Sequence, residues 1–471
     1  MNDTDDSPPP GFENVAAGTH DVPGVNGHSS IHEAGNGGAA PQSQLQDPET
    51  DDIRTVQHPD TPYSSAKSFD ELPINQELLQ GLYNEMKFER PSRVQADTLP
   101  MILNPPFRNL VAQAHNGSGK TTCFVLALLG RVDVNTAQPQ CLCMCPTREL
   151  VVQNMQVLQR LGRYTKITST STASDRYEIA TRQTRITEQV IIGTHGKMKT
   201  WVTKGALATR YIKLLVFDEA DEMLKADGFG SDSVRLIRQL QKDSATLQIL
   251  LFSATFDERV RMFAQKVAGP DANQLFIPKE ELSLEVIKQY RVMCSSQEDK
   301  ERVLSNMIFP NCERLGQTII FVQRRETGRR LHTAMEAAGH RCTSIQGDMG
   351  HEARDRVISE FRSGATKILI ATDVLARGFD VTQVTLVVNF DVPTERDSRR
   401  PAFETYLHRI GRSGRFGRRG AAFNLVATPQ ERDIVDSIQD YFKHEIPSLE
   451  STDEDRFIAV LHDAGLTDVE A

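Results

Sequence analysis

Residues 114–121, with the sequence AHNGSGKT, combine the residue types of a loop that binds phosphate groups. Gly117 and Gly119 would allow backbone N–H groups to curl around phosphate oxygens. Lys120 would reach the β- and γ-phosphates of a nucleotide, and the Thr121 hydroxyl would bind magnesium. The first glycine usual in such loops is replaced by Ala114, which leaves the backbone chemistry intact. The other residues predicted to contact the nucleotide are His115, Asn116 and Ser118 in this loop and Thr122 directly after it.

The sequence on either side of this loop supports the phosphate-binding interpretation. The apolar run NLVAQ comes before it, and the helical run TTCFVLALL follows it. A glycine-rich turn between a strand and a helix can also lack any ligand. The Gly-Lys-Thr sequence between those two elements makes that alternative a poor explanation.

A second apolar run, KLLVFDEA (213–220), ends in the carboxylates of Asp218 and Glu219. In open α/β sheets, ligands bind at the carboxyl ends of the strands. Asp218 would hold magnesium through water, and Glu219 would polarise the water that attacks the γ-phosphate. Acids at a strand end are as often plain loop residues, but the phosphate loop upstream favours the catalytic interpretation. These two features alone predict a nucleotide triphosphatase, and a kinase or a transport ATPase would share them.

The elements that must position these residues follow from the alternation of short apolar runs with longer amphipathic segments. This pattern predicts an α/β fold in which helices cover both faces of a mostly parallel sheet. Residues 148–161 are predicted to be helical, since Leu150, Met155, Leu158 and Leu161 fall near one face. The predicted strands of the first half are 108–113, 140–147, 189–194, 213–220 and 248–255, and those of the second half are 288–294, 317–323, 366–372 and 385–391.

The two series of strands predict two parallel-sheet domains in tandem. The domains are expected at residues 67–280 and 288–471, with a linker at 281–287 and a terminal helix in the sequence FIAVLHDAGL. Residues 1–66 contain eight prolines, seven glycines, eleven Asp/Glu and one Lys/Arg. Such a segment cannot bury enough apolar surface to become ordered, so it is expected to be a disordered acidic tail. Its role stays open between a tail that binds a partner and a solvating leader.

Composition excludes several classes of protein. No run of about 18 apolar residues is available to span a membrane, and the acidic start MNDTDDSPPP is unlike a signal peptide. The expected location is therefore intracellular. Seven cysteines spread over 471 residues do not form a disulfide framework. Cys141, Cys143 and Cys145 lack the spacing of a zinc site and are expected in a buried strand.

Several short motifs together resemble the DEAD-box RNA helicases. The resemblance extends over roughly residues 68–450. It implies two RecA-like domains that close on ATP, magnesium and single-stranded RNA. The motifs are RPSRVQ (90–95), PTREL (146–150), Asp218-Glu219-Ala220-Asp221, SAT (253–255), RGFD (377–380) and HRIGRSGR (408–415).

The resemblance assigns further residues to the nucleotide. It implies that Gln95 binds the adenine edge and that Phe88 stacks on the adenine ring, which suits the hydrogen-bonding capacity of glutamine and the face of an aromatic ring. It also implies that Gly378 and Asp380 contact the nucleotide from the second domain. Arg412 and Arg415 would be the arginine fingers, which stabilise transition-state charge once the domains close. The residues that would couple the ATP state to RNA binding are Asp221, Ser253, Thr255 and His408.

RNA contacts in this family go to the sugar-phosphate backbone, which explains tolerance of sequence. By resemblance, Pro146, Thr147 and Arg148 bind RNA in the first domain, and Arg354 and Thr372 bind it in the second. Thr194, His195, Gly196 and Lys197 stand where the family usually has Thr-Pro-Gly-Arg, so a lysine replaces the bidentate arginine. His351 likewise replaces the usual glutamine before Arg354.

The long connection TERDSRRPAFET (394–405) is similar to that of the mRNA-export branch of the family. The similarity implies an ATPase that releases proteins from exported mRNA at the nuclear pore, between nucleus and cytoplasm, as a monomer. Its expected partners are RNA, a nucleoporin and an export activator. Two alternatives stay open: a translation-initiation helicase of the same family, and a nucleotide-gated RNA clamp with negligible turnover.

Overall fold

The computed structural model of the chain defines two parallel sheets. Residues 1–53 lie outside the part of the chain that the structure describes. The described residues are 54–57, 63–113, 118–174, 184–225, 228–244, 246–276, 287–310, 316–345, 349–373, 384–395, 398–414 and 420–466.

The first sheet has eight strands in the order β1-β8-β2-β7-β6-β3-β5-β4. All neighbours are parallel except β1, which pairs antiparallel with β8 at one edge. Most of its strands are continuous apolar runs because both faces are covered. The strands are β1 (Arg54–Val56), β2 (Leu110–Gln113), β3 (Cys141–Cys145), β4 (Ser169–Ser171), β5 (Val190–Thr194), β6 (Leu214–Phe217), β7 (Gln248–Ser253) and β8 (Asn273–Phe276).

Helices pack on both faces of this sheet and form two apolar clusters. α3 and α4 contribute to one cluster, and α5, α7 and α8 contribute to the other. A π-helical turn, Gly81–Glu85, follows α1 directly. The helices are α1 (Gln76–Gln80), α2 (Arg93–Leu103), α3 (Lys120–Gly130), α4 (Arg148–Leu161), α5 (His195–Thr203), α6 (Ala220–Met223), α7 (Phe229–Asp243) and α8 (Glu258–Ala268).

The second sheet has seven strands, all parallel, in the order β11-β12-β10-β13-β14-β9-β15. Helices again form an apolar cluster on each face. The strands are β9 (Ile287–Met293), β10 (Gln317–Phe321), β11 (Thr343–Ile345), β12 (Ile368–Ala371), β13 (Val384–Asn389), β14 (Gly420–Val426) and β15 (Ser448–Glu450). The helices are α9 (Gln297–Val303), α10 (Arg325–Ala337), α11 (His351–Arg362), α12 (Phe403–Ile410), α13 (Pro429–Phe442) and α14 (Glu454–Asp463).

The predicted fold class is confirmed: the chain has two RecA-like parallel-sheet domains in tandem. Cys141, Cys143 and Cys145 are fully buried in β3, as expected, and all three are free thiols. Among the described residues, no group of His, Cys, Asp and Glu side chains is arranged to hold a metal by itself. No helix within the described ranges is long and apolar enough to cross a membrane.

The structure differs from the sequence prediction near residue 66. Strand β1 and the buried Ala66 both lie within the segment that was expected to lack order. β1 gains its backbone hydrogen bonds from the edge of β8, more than 200 residues away in the chain. The composition of a short segment does not show whether a distant strand will pair with it.

Candidate nucleotide site and interdomain face

The functional motifs of the first domain lie at the carboxyl ends of adjacent strands of the first sheet. β2 leads into the phosphate loop, β7 into SAT, β6 into Asp218, β3 into PTREL and β5 into the Thr-His-Gly-Lys sequence. These five strands are adjacent in the order β2-β7-β6-β3-β5. Because they are parallel, their carboxyl ends all meet at this edge, where ligands bind in open α/β sheets.

The described part of the phosphate loop is held by the N-terminal end of α2. Gly119, which directly precedes α3, has φ +93°, a backbone conformation that residues other than glycine rarely adopt. The Ser92 hydroxyl donates to the Ser118 carbonyl at 2.9 Å, and the Gln95 amide Nε2 donates to the Gly119 carbonyl at 3.3 Å. Lys120 and Thr122 are buried behind these residues, and Thr121 is half-buried.

Gln95 also accepts a hydrogen bond from the Ser92 N–H at 3.0 Å, which completes a capping box for α2. This link between α2 and the phosphate loop was not predicted from the sequence. The signal was present, since Ser-x-x-Gln before an apolar helical run predicts a capping box. A glutamine amide retains one N–H and one lone pair in this arrangement, so adenine binding by Gln95 stays a prediction. Phe88 is half-buried against the core of the first domain.

Asp218 is buried at the end of β6, and its backbone N–H donates to the Met144 carbonyl at 3.0 Å. Its carboxylate accepts a hydrogen bond from the amide of Asn154 at 2.8 Å. Burial raises the pKa of Asp218, while the nearby Lys120 ammonium group and the Asn154 hydrogen bond oppose that rise. Lys120 and Asp218, predicted separately from the sequence, therefore lie close together.

Glu219 has the left-handed backbone conformation, with φ +55°, and begins the short helix α6. Its carboxylate is buried, and within the described residues its Oε2 has no hydrogen-bond partner. Burial and the neighbouring Asp218 raise the pKa of Glu219 to about 7, while the charges of Arg412 and Lys120 oppose the rise. An unpartnered buried oxygen of this kind is available to accept a hydrogen bond from water.

Arg412 follows α12 in the second domain, yet its charge lies close enough to Glu219 in the first to affect its pKa. The side chain is almost fully buried, and its Nε donates to the His408 carbonyl at 3.0 Å. His408 is itself fully buried within α12. The structure therefore brings together Lys120, Asp218, Glu219 and Arg412, which come from both halves of the chain.

The SAT motif joins the acidic motif to the second domain. The Ser253 hydroxyl accepts a hydrogen bond from the Asp221 N–H at 3.3 Å. The Thr255 hydroxyl lies 2.9 Å from Asp221 Oδ2 and 2.7 Å from Glu404 Oε1 of α12. Glu404 also forms an ion pair with Lys225 at 2.8 Å. Glu404 was missed by the sequence analysis because nothing in its local sequence indicates a contact across the domains.

The N-terminus of α4 forms a second interdomain contact. Thr147 caps the helix by accepting a hydrogen bond from the Leu150 N–H. Arg148 contacts Asp355 at 2.7 Å, and Glu149 contacts Arg354 at 2.6 Å in a pair that is largely buried. Arg354 was predicted to bind RNA, and the structure places it in this interdomain ion pair instead of leaving it exposed. Its RNA contact stays a prediction.

The other predicted RNA-binding residues are at the same carboxyl edges. The Thr194 N–H donates to the Thr172 hydroxyl at 3.0 Å, and Lys197 donates to the Thr172 carbonyl at 3.1 Å. His195 packs edge-on against Phe229, and burial lowers its pKa. Gly196 follows in α5, Pro146 is half-buried after β3, and Thr372 is buried after β12.

The remaining predicted site residues lie outside the described part of the chain. This holds for the first half of the phosphate loop, for the RGFD motif and for the second predicted arginine finger, and the structure gives no side-chain placement for His351. These residues are Ala114, His115, Asn116, Gly117, Gly378, Asp380 and Arg415.

The chain matches two protein-family descriptions and is similar to known helicases. "DEAD/DEAH box helicase" matches residues 92–263, and "Helicase conserved C-terminal domain" matches residues 299–417. DEAD-box ATP-dependent RNA helicase 38 of Oryza sativa subsp. japonica is 47% identical over 429 residues, which cover 90% of this chain and 85% of that protein.

Solved structures of S. cerevisiae Dbp5 share the fold of the chain. Dbp5 bound to RNA and ADP BeF3 has a TM-score of 0.79 and 40% identity, covering 85% of this chain and 100% of that one. A Dbp5 variant bound to Nup159, a Gle1 variant, IP6 and ADP has a TM-score of 0.60 and 37% identity, covering 83% and 99%. The chain belongs to the DEAD-box family and is an ATP-dependent RNA helicase.

Proposed function

We propose that this helicase remodels RNA and RNA–protein complexes during mRNA export at the nuclear pore, by RNA-stimulated hydrolysis of ATP. The observation that supports it most directly is that the charge of Arg412 lies close enough to Glu219 to oppose the rise in its pKa. These residues belong to the proposed domains 288–471 and 67–280, which a linker at 281–287 would join. Hydrolysis then depends on domain closure, because neither domain contains both groups.

ATP would bind at the carboxyl edge of the first sheet. The N-terminus of α3 presents backbone N–H groups and its positive dipole end to the phosphates. Lys120 would contact the β- and γ-phosphates, while Phe88 would stack on the adenine ring. Gln95 would bind the adenine edge, and its contact with Gly119 would connect base recognition to the phosphate loop. Gly378 and Asp380 would contact the nucleotide from the second domain.

The residues present fit a magnesium ion. Asp218 provides a buried carboxylate and Thr121 a hydroxyl at the start of α3. Magnesium binds oxygen ligands and commonly takes only one or two from the protein, the rest coming from phosphates and water. When bound, it would neutralise charge that develops on the phosphates.

Glu219 would accept a hydrogen bond from the attacking water through its unpartnered Oε2. Arg412, and with it Arg415, would stabilise the charge of the transferring phosphoryl group. Asp221, Ser253 and Thr255 join the acidic motif to α12, which carries His408 and ends just before Arg412. This connection would make the position of the arginine dependent on the state of the nucleotide.

RNA would cross the carboxyl edges of both sheets. Pro146, Thr147, Arg148, Thr194, Gly196 and Lys197 would contact its backbone from the first domain, and Arg354 and Thr372 from the second. Contacts of this kind carry no base information, so binding tolerates different sequences. Because Arg148 and Arg354 also join the domains, RNA and closure would reinforce each other.

The proposed partners are a nucleoporin and an export activator. Support comes from the similarity to Dbp5, whose solved complexes include Nup159 and Gle1. These partners would place this helicase at the nuclear pore, between nucleus and cytoplasm. We propose that it acts as a monomer.

ATP hydrolysis by the full chain tests the enzymatic proposal. Phosphate release is measured with and without single-stranded RNA, in the wild type and in Glu219→Gln and Arg412→Ala. We expect RNA to increase the wild-type rate at least about tenfold, and both variants to lose that increase. A wild-type rate that does not respond to RNA would favour the nucleotide-gated clamp.

Affinity capture of the full chain tests the place of action. Nucleoporins and a Gle1-like activator should be recovered with it. Recovery of translation factors without them would favour the translation-initiation helicase and contradict the export role.

A further inference from the structure

Asn154 lies in α4 and is completely buried, although its neighbours on that face are apolar. Its side-chain amide donates to Asp218 Oδ2 at 2.8 Å and lies 3.4 Å from Cys145 Sγ. Its own Oδ1 has no hydrogen-bond partner within the described residues. A buried amide that leaves its carbonyl unsatisfied is costly, so its contact with the carboxylate must offset that cost.

The chemistry of the pair fixes the orientation of the amide. A rotated side chain would place Oδ1 against a carboxylate oxygen, with two acceptors facing each other. The N–H group therefore faces Asp218, and the hydrogen bond to a charged acceptor is of the stronger kind. Asp218 has no other side-chain donor at hydrogen-bond distance among the described residues.

The position of Asn154 in its helix links this carboxylate to the interdomain contacts of α4. The first turn of α4 carries Arg148 and Glu149, which pair with Asp355 and Arg354 of the second domain. Asn154 comes about one and a half turns later in the same continuous helix. A shift or rotation of α4 would move the amide and the interdomain residues together, since a helix moves as a rigid element.

We propose that Asn154 is a positioning residue that holds the Asp218 carboxylate in its metal-binding orientation and makes that orientation depend on α4. The proposal rests on the metal-binding role given to Asp218 in the proposed function. Asn154 is completely buried, so it would act on the site through Asp218. Its effect is on how well one carboxylate is aligned, and on how strongly α4 controls that alignment.

The test compares Asn154→Leu, which keeps the volume and removes the donor, with Cys145→Ala, which removes the other neighbour of the amide. Affinity of the full chain for a fluorescent ATP analogue is measured with Mg²⁺ and with EDTA. Loss of a hydrogen bond to a charged group corresponds to roughly tenfold. We expect the increase in affinity caused by Mg²⁺ to be about tenfold smaller in Asn154→Leu than in the wild type. The affinity of Asn154→Leu in EDTA should match that of the wild type. Cys145→Ala should match the wild type both with Mg²⁺ and in EDTA.

A second readout concerns α4. The RNA stimulation of ATP hydrolysis should fall in Asn154→Leu and stay at the wild-type level in Cys145→Ala. Thermal unfolding without nucleotide tests whether each variant is folded. If Asn154→Leu is not folded, Asn154→Ser replaces it, because a serine side chain is too short to reach Asp218.

The outcomes separate the two proposals. A wild type whose affinity does not respond to Mg²⁺ contradicts the metal role of Asp218, and with it the proposed function. If Mg²⁺ increases the affinity of the wild type, and increases that of a folded Asn154 variant to within about twofold of the same extent, only the positioning role is overturned.

Discussion

The motif residues at the nucleotide site are held by neighbours that the motifs do not contain. Ser92 holds Ser118, Gln95 holds Gly119, and Asn154 holds Asp218. The first two contacts join the phosphate loop to the start of α2, and the third joins Asp218 to α4. The geometry of the site therefore depends on the packing of α2 and α4 as well as on the motifs themselves.

Gly119→Ala should weaken ATP binding by about tenfold or more. The substitution places an alanine at φ +93°, and its Cβ would clash with Gln95 Nε2. The strain of such a backbone conformation is about 1–2 kcal/mol, before any displacement of Gln95. Gly205→Ala is the matched control, since it has φ +70° and open space around its Cβ. Nucleotide titration of both variants measures the effect, and equal affinities would contradict it.

Glu219→Gln should reduce the rate of ATP hydrolysis by about 100-fold or more and leave ATP binding nearly unchanged. Glutamine fills the same volume but cannot take the charge needed to polarise water. Glu258→Gln, at an exposed position on α8, controls for the loss of one negative charge. Single-turnover hydrolysis separates the chemical step from binding. A Glu219→Gln rate near that of the wild type would show that another group polarises the water.

At the residue scale, the sequence could predict Lys120, Asp218, Glu219 and Arg412 because each occurs in a dense local motif. Asn154 left a weaker signal: it falls four residues from both Leu150 and Leu158, so it is a polar residue on the apolar face of α4. Its partner Asp218 is 64 residues further along the chain. Only tertiary structure shows which acid it contacts.

At the scale of elements, α9 depends on one carboxylate. Asp299 accepts hydrogen bonds from the Ser295 N–H at 2.7 Å and from the Ser451 hydroxyl at 2.9 Å, which ties the helix to the turn after β15. Burial favours a higher pKa for Asp299. Hydrogen bonds from Ser295 and Ser451, with one from Arg302, outweigh burial and lower the pKa to about 2.

Asp299→Asn should therefore lower the free energy of unfolding at pH 7 by about 1–3 kcal/mol. The carboxylate stabilises the fold fully above its unfolded pKa of 3.8, and this contribution is lost as the pH falls through its folded pKa of about 2. The difference between wild type and variant should thus narrow over that range. Denaturant unfolding at several pH values measures it, with the exposed Asp433→Asn as control. A difference that does not change with pH would contradict this assignment.

The elements themselves were predicted unevenly. The bounds of α4 were predicted correctly, since four apolar residues at helical spacing follow directly after a capping threonine. All nine predicted strands match observed strands within a few residues, because parallel strands covered on both faces are continuous apolar runs. Strand β8 and the seven-residue central strand β14 were not predicted. Strands β1, β4, β11 and β15 have only three residues each and were missed. Pairing with a sheet edge, not composition, determines such short strands.

At the scale of the molecule, separate contacts hold the two domains together. One set joins α4 to α11 through Arg148, Glu149, Arg354 and Asp355. Another joins Thr255 and Lys225 to Glu404 of α12. Both sets join the same two domains that contribute Glu219 and Arg412, so closure would also complete the proposed nucleotide site.

Lys225→Ala should weaken the binding of RNA in the presence of ADP BeF3 by about two- to fivefold, as expected for a partly exposed ion pair. Lys225 contacts Glu404 across the domains at 2.8 Å. Arg330→Ala is the control, because Arg330 and Glu301 form an ion pair at 3.0 Å inside the second domain. RNA titration at low and high salt measures the effect. Equal losses in both variants would show that the Lys225 pair does not act through closure.

The buried Glu149 and Arg354 side chains form an ion pair between the two halves of the protein. Separation would return each ion to water, so hydration lost on association is regained on dissociation. An ion pair of this kind orients the two domains without preventing their separation. An enzyme that must release its product and start again benefits from a joint that is specific and also easily undone.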